Sequence, residues 1–105
     1  MKLWFDDIRE APEGYVWVTS VNEAKELIKL TESKQKHMIC DDYITLIDCD
    51  HDLGQYALNG GDAVKLLDWL EETGRSYPIR IHSQNPVGAQ NMRRIIQRNG
   101  WKEVF

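Results

Sequence analysis

Short apolar runs that each close on a polar cluster, alternating with amphipathic stretches, set the tightest limit on how this chain folds. In the first run, residues 2–7, Leu3, Trp4 and Phe5 stand ahead of Asp6 and Asp7. A second run over 15–19 is aromatic and β-branched. It leads into Ser20-Val21-Asn22-Glu23, in which the serine caps a helix and the glutamate reaches back. The helix that follows carries Val21, Ala24, Leu27 and Ile28 on one face and fades near Lys34. Residues 44–49 read as the next strand, with 37–42 as an irregular lead-in. Asn59-Gly60-Gly61 marks a turn, and 63–73 reads as a helix with Ala63, Leu66, Leu67 and Leu70 as its buried stripe. Gly74 stands where a helix-terminating glycine is expected. A strand over 79–82 precedes a helix capped by Asn85, with Pro86 in its first position. Met92, Ile95 and Ile96 face inward, Gly100 ends the helix, and residues 101–105 add a short last strand.

This alternation predicts an α/β domain with a largely parallel sheet. One connection departs from regular winding. Only residues 8–14 separate the first two strands, too few for a helical crossover. An extended connection at about 3.3 Å per residue can still return the chain for a parallel strand, and an antiparallel pairing is the alternative.

A length of 105 residues suits one domain, 1–105, with a single core. No apolar run approaches the roughly 20 residues that span a bilayer. The opening residues lack the apolar core of a signal peptide, so a cytoplasmic protein is the expectation, with no membrane partner. Cys40 and Cys49 make neither a disulfide framework nor a Cys-x-x-Cys pair and read as free thiols. A net charge of -4 disfavours DNA and other bulk polyanions unless a local basic patch or a metal ion intervenes.

The polar clusters fall where strands end. Asp6-Asp7-Ile8-Arg9 follows the first strand, Asp50-His51-Asp52-Leu53-Gly54 the third, and His82-Ser83-Gln84-Asn85-Pro86 the fourth. Ligands of open parallel sheets bind outside the carboxyl ends of the strands, so parallel strands bring these clusters to one rim. Asp6, Asp7, Asp50 and Asp52 crowd negative charge that a cation relieves, and hard oxygen ligands favour Mg²⁺. Strand alternation puts Asp50 and Asp52 on the same face and leaves open which is the inner ligand. His51 and His82, at the ends of neighbouring strands, suit a general base and a general acid if they share a cavity. Single histidines in such places are also common as packed structural residues. His37 lies off the strand ends and reads as surface. The helix opening at Pro86, through Gly88, aims free N–H groups at the rim. Ser83 adds a hydroxyl there, and Arg9 a bidentate phosphate donor. Arg93, Arg94 and Arg98 read as a solvated helix face rather than as steering charges for a polyanion.

Asp-Asp-x-Arg after a strand, then Asp-His-Asp-Leu-Gly, His-Ser-x-Asn-Pro-x-Gly and Asn-Met form a pattern. Here these are Asp6 to Arg9, Asp50 to Gly54, His82 to Gly88 and Asn91-Met92. In this order they resemble the cyclic-phosphate processing receiver domain family over residues 2–101. The resemblance implies a receiver-like (flavodoxin-like) three-layer α/β fold, with four or five mostly parallel strands and about three helices. It implies a pocket formed by Asp6, Asp7, Arg9, Asp50, His51, Asp52, His82, Ser83 and Asn85. It also implies a cyclic-phosphate nucleotide or an RNA with a cyclic phosphate end as ligand, in RNA repair or related processing in bacteria and phages.

The expected assignment places Mg²⁺ or another divalent cation on Asp6, Asp7 and Asp50, with His51, His82 and Asp52 catalytic. Arg9, Ser83, Asn85 and Gly88 then bind phosphate. The activity expected is a metal-assisted cyclic-phosphate phosphodiesterase, with capture of a cyclic nucleotide without turnover as the alternative. Ordinary receivers carry a phospho-accepting aspartate, a Ser or Thr after the fourth strand and a lysine after the fifth. Ser83 and either Asp50 or Asp52 match the first two, but Lys102 begins the last candidate strand instead of following it. A degenerate phospho-accepting receiver is therefore the remaining reading.

Overall fold

The computed structural model describes residues 1–36 and 43–105. The expected lead-in over 37–42, with His37 and Cys40, lies outside the described residues. The chain runs β1 (Lys2–Phe5), β2 (Tyr15–Val18), α1 (Val21–Lys36) and β3 (Leu46–Cys49). A 3₁₀ helix, η1 (Gly54–Leu58), is followed by α2 (Val64–Glu72), β4 (Ile79–Ile81) and α3 (Pro86–Asn99). The sheet has the order β2-β1-β3-β4, and every pairing is parallel. The second strand is thus parallel even though no helix links it to the first. The expected last strand shrinks to one parallel bridge, Ile79 with Glu103. The Ile79 N–H donates to the Lys102 carbonyl, and the Val104 N–H to that of Ile79.

The helix ends follow local chemistry. Ser20 Oγ accepts from the Glu23 N–H at 3.1 Å, while Glu23 reaches back to the Thr19 N–H at 2.9 Å. Asn85 Oδ1 accepts from the Gly88 N–H at 3.0 Å, and Gly100 ends α3 in the left-handed region with φ of 67°. η1 was not expected; it fills the stretch between the Asp50 cluster and the Asn59-Gly60-Gly61 turn.

Direction of travel decides which face the helices cover. From β2 to β3, β3 to β4 and β4 to the bridge at Glu103, the chain always steps the same way across the sheet. Right-handed crossovers therefore put α1, α2 and α3 on one face. Strand alternation agrees. Leu3, Phe5, Val18, Ile47, Cys49 and Ile79 join the buried residues of all three helices in a single core cluster. The expected α/β receiver-like fold is present with two layers, not three, among the described residues. Only the step from β1 to β2 runs the other way, and its nine-residue connection, 6–14, is too short to supply a crossover helix to the far face. That face carries Lys2, Trp4, Tyr15, Trp17, Asp48 and Arg80. The connection is tied to it where Trp4 Nε1 donates to the Arg9 carbonyl at 2.9 Å. No helix of the described residues is long and apolar enough to cross a membrane.

Candidate functional site at the carboxyl edge of the sheet

Because the strands are parallel, the ends of β1, β3 and β4 deliver their polar clusters to one rim, around an open hollow of about 330 Å³. Asp7, Ile8, Arg9, Asp50, Asp52, Gly54, Gln84 and Asn85 line it. One ligand atom from each of Asp6, Asp7 and Asp50 lies within 4.8 Å of the others.

The three carboxylates are not equivalent. Asp6 is fully buried, and its Oδ1 accepts from the backbone N–H groups of Ile8 and Arg9 at 2.9 and 3.0 Å. Its Oδ2 faces His82 Nε2 at 3.0 Å and Arg9 Nε at 3.5 Å. Burial acts to raise its pKa, but the Arg9 and Ile8 N–H groups and His82 together hold it below the ordinary value. Asp50 goes the other way. Burial, then the charge of Asp6, raise it against the His51 N–H, Arg9 and His82. Asp7 accepts no hydrogen bond among the described residues. Gly54, with φ of +56°, passes so close that an added Cβ would stand 2.7 Å from Asp7 Oδ2. Asp7 and Asp50 thus have oxygen capacity to spare, and Asp6 braces the loop behind them. One or two carboxylates with open positions for water and phosphate suit Mg²⁺, so the donor set fits the cation. Arg9 Nη2 stands 4.0 Å from Asp50 Oδ2, and its side chain is 44% exposed, within reach of an incoming anion.

Asp50 and Asp52 separate despite their spacing. Asp50 is buried, with Oδ1 accepting from the His51 N–H at 2.8 Å. Asp52 is exposed beyond the strand end. Its Oδ1 lies 2.8 Å from His51 Nδ1, and both its oxygens accept from Asn85 Nδ2 at 3.3 Å. The hydrogen bond from His51 is the main reason that its pKa is lowered.

Neither histidine ring lines the hollow. His51 packs under the start of α3, where an added Cβ on Gly88 would stand 2.4 Å from His51 Cγ. His82 sits on the far face of the sheet, its Nδ1 2.6 Å from Asp48 Oδ1 and its Nε2 against Asp6. Trp4 stacks on it, centroids 3.9 Å apart and planes at 4°. Asp48 escaped the sequence reading, as did Trp4 and Trp17. Its carboxylate is fully buried, and Oδ2 lacks a hydrogen bond, with Arg80 Nη1 at 3.8 Å. Alternation alone opposes Asp48 to Ile47 and Cys49, but that no crossover helix covers its face follows from the strand order.

The expected phosphate binders also divide. Arg9 and Asn85 line the hollow, but Asn85 Oδ1 is committed to its helix cap. Gly88 spends its N–H on that cap, and its missing side chain makes room for His51. That is a packing role, outside the hollow. Ser83 Oγ accepts from the Asn85 N–H at 3.0 Å and shapes the turn. Arg93 and Arg98 pair with Glu103 and Glu71. Lys102 stands level with the start of β4, away from the acidic rim. The Cys49 thiol is buried and unpaired, its pKa raised by burial and then by Asp48 and Asp50.

A parallel sheet of this order, with acids crowded at the carboxyl ends of its two central strands, defines a receiver-like α/β domain. A family model for the cyclic-phosphate processing receiver domain matches residues 1–98, and the chain belongs to that family. No curated protein and no solved structure gives a significant match.

Proposed function

We propose that the hollow binds the cyclic phosphate end of a nucleotide or RNA together with a divalent cation, and that it opens the cyclic phosphate. The observation that carries this reading is the approach of the Asp6, Asp7 and Asp50 carboxylates beside the one guanidinium of Arg9. A phosphate alone would be repelled there; a phosphate with Mg²⁺ meets both a metal seat and a cationic clamp. Asp7 and Asp50 hold the cation, with Asp6 bracing them. A cation held there would supply positive charge for the phosphoryl oxygens and Lewis acidity for hydrolysis. Arg9 orients the phosphate through its fork of donors. In this reading Asp52, exposed at the hollow and backed by His51, takes a proton from the attacking water as one P–O bond to the ribose breaks, and returns it to the released ribose oxygen. His82 positions Asp6 rather than moving a proton itself.

The test is hydrolysis of 2′,3′-cyclic mononucleotides with and without Mg²⁺. Activity should need the metal and should fall at least about a hundredfold in Asp52→Ala and His51→Ala, the scale of general acid–base catalysis. Full activity in a His51→Ala, His82→Ala double variant would remove the acid–base assignment.

The placement of both rings outside the hollow favours a second reading, capture without turnover. Tight Mg²⁺-dependent binding with recovery of intact ligand would select it.

A further inference from the structure

Beside the hollow lies a second depression of about 500 Å³, lined by Asp7, Ile8, Gln55, Tyr56, Leu58 and Asn59. The two share Asp7 and Ile8, so they adjoin along that residue pair. The apolar lining of this depression is open to solvent: Ile8 is 80% exposed, Tyr56 42% and Leu58 90%. An isolated exposed leucine calls for no explanation, but three large apolar side chains around one depression do. Core packing does not explain them, because η1 buries none of its residues. It is held instead through its backbone, Tyr56 N–H to the Leu53 carbonyl and Asn59 N–H to that of Tyr56. Asp62 Oδ1 and Asn22 N–H fix its two flanks through Leu53 and Asn59.

We infer that this depression is a nucleobase subsite, taking the base of the nucleotide whose phosphate end sits in the adjoining hollow. The inference rests on the phosphate-and-metal reading of that hollow and adds the other half of the ligand. A base is flat and apolar on its faces and carries hydrogen-bonding groups around its edge. Ile8, Tyr56 and Leu58 offer apolar and aromatic surface to the faces. The side-chain amides of Gln55 and Asn59 each offer both a donor and an acceptor to the edge. The shared wall at Asp7 and Ile8 sets base and phosphate on the two sides of one residue pair, the relation they have across a ribose. A protein segment or a second copy of the chain needs only the apolar surface and makes no use of the junction.

Binding is measured calorimetrically with Mg²⁺ present, using 2′,3′-cyclic AMP and base-free ribose 2,3-cyclic phosphate as probes. The base-bearing ligand should bind about tenfold or more tightly, the scale of one stacked base. Tyr56→Ala should remove most of that preference and leave base-free binding unchanged. Leu58→Ser, at a site too exposed to affect folding, should reduce it in the same selective way. Equal affinity for the two probes, or an equal loss of both in Tyr56→Ala, overturns the subsite and leaves the phosphate reading standing. If neither probe binds, both readings fall. A wild-type dimer that Leu58→Ser dissolves, with no base preference, assigns the patch to self-association and overturns the inference.

Discussion

His82 Nδ1 lies 2.6 Å from Asp48 Oδ1, and this contact, beneath the Trp4 ring, joins the exposed side of the sheet to the acidic rim. Between Asp48 and Asp6 both ring nitrogens face carboxylate oxygen. The ring therefore acts as a strut between β3 and the end of β1. Asp48→Ala should cost about 3 kcal/mol, because it leaves a buried polar ring nitrogen without its partner. Asp52→Ala, which removes the exposed partner of His51, should cost under about 1 kcal/mol. Urea unfolding of the two variants checks the contrast.

Gly88 poses opposed effects. Alanine improves helix propensity by roughly 1 kcal/mol over glycine. Its Cβ would stand 2.4 Å from His51 Cγ, however, in a packed site that must shift to admit it. Overpacking of this kind costs about 1–3 kcal/mol and should win. Gly88→Ala is expected to be less stable and to move the His51 ring signals in an NMR spectrum.

The two buried rim acids respond to pH with opposite signs. Asp6 is held below its ordinary value of 3.8, so its contribution is complete above that value. It is lost as pH falls through the lower, folded-state value. Asp50 is raised above 3.8, so between that value and its folded one the folded state carries the extra proton. Its effect on stability therefore worsens as pH rises through that window. At neutral pH without divalent cations, Asp50→Asn should melt higher and Asp6→Asn lower than the parent. A gain of about 1 kcal/mol would appear as about 4–8 °C in a domain of this size. Adding Mg²⁺ should reverse the order of parent and Asp50→Asn.

Metal binding has a built-in reporter. Trp17 Nε1 donates to the Asp6 carbonyl at 2.7 Å, so its indole is fixed to the loop that carries the acids. Titration with Mg²⁺ should change tryptophan emission, and Trp17→Phe should remove most of the change without weakening binding. Asp7→Asn should weaken Mg²⁺ binding about tenfold or more, as loss of one inner carboxylate implies.

The acids at the rim were legible because strand ends and clusters coincide, and a parallel sheet leaves them one place to meet. The caps at Ser20 and Asn85 were legible for a local reason: the side chain and the N–H that it satisfies are three residues apart. The division of labour within the rim was not. Asp50 and Asp52 share a strand face only while the strand lasts, and the chain leaves the sheet after Cys49. His51 and His82 look like a pair by position, but their rings turn toward α3 and toward the far face. Tertiary contacts fix those directions: Gly88 and Asp52 for His51, and Trp4, Asp48 and Asp6 for His82. Asp48 looked like strand interior because the uncovered face is a property of crossover direction, which emerges once the strand order is known.

The rim also has an uneven mechanical make-up. On the side of β1, β3 and β4, its groups rest on fully buried Asp6 and Asp48 and on a stacked ring, and moving them means opening the core. On the other side, η1 buries none of its own side chains and is closed by backbone hydrogen bonds, with the Asp62 carboxylate holding only its leading edge at Leu53. Such an element opens at a small fraction of the global unfolding free energy, so its amides should exchange far faster than those of β1. The phosphate side of the rim is set before any ligand arrives, and the side at η1 is free to conform to it.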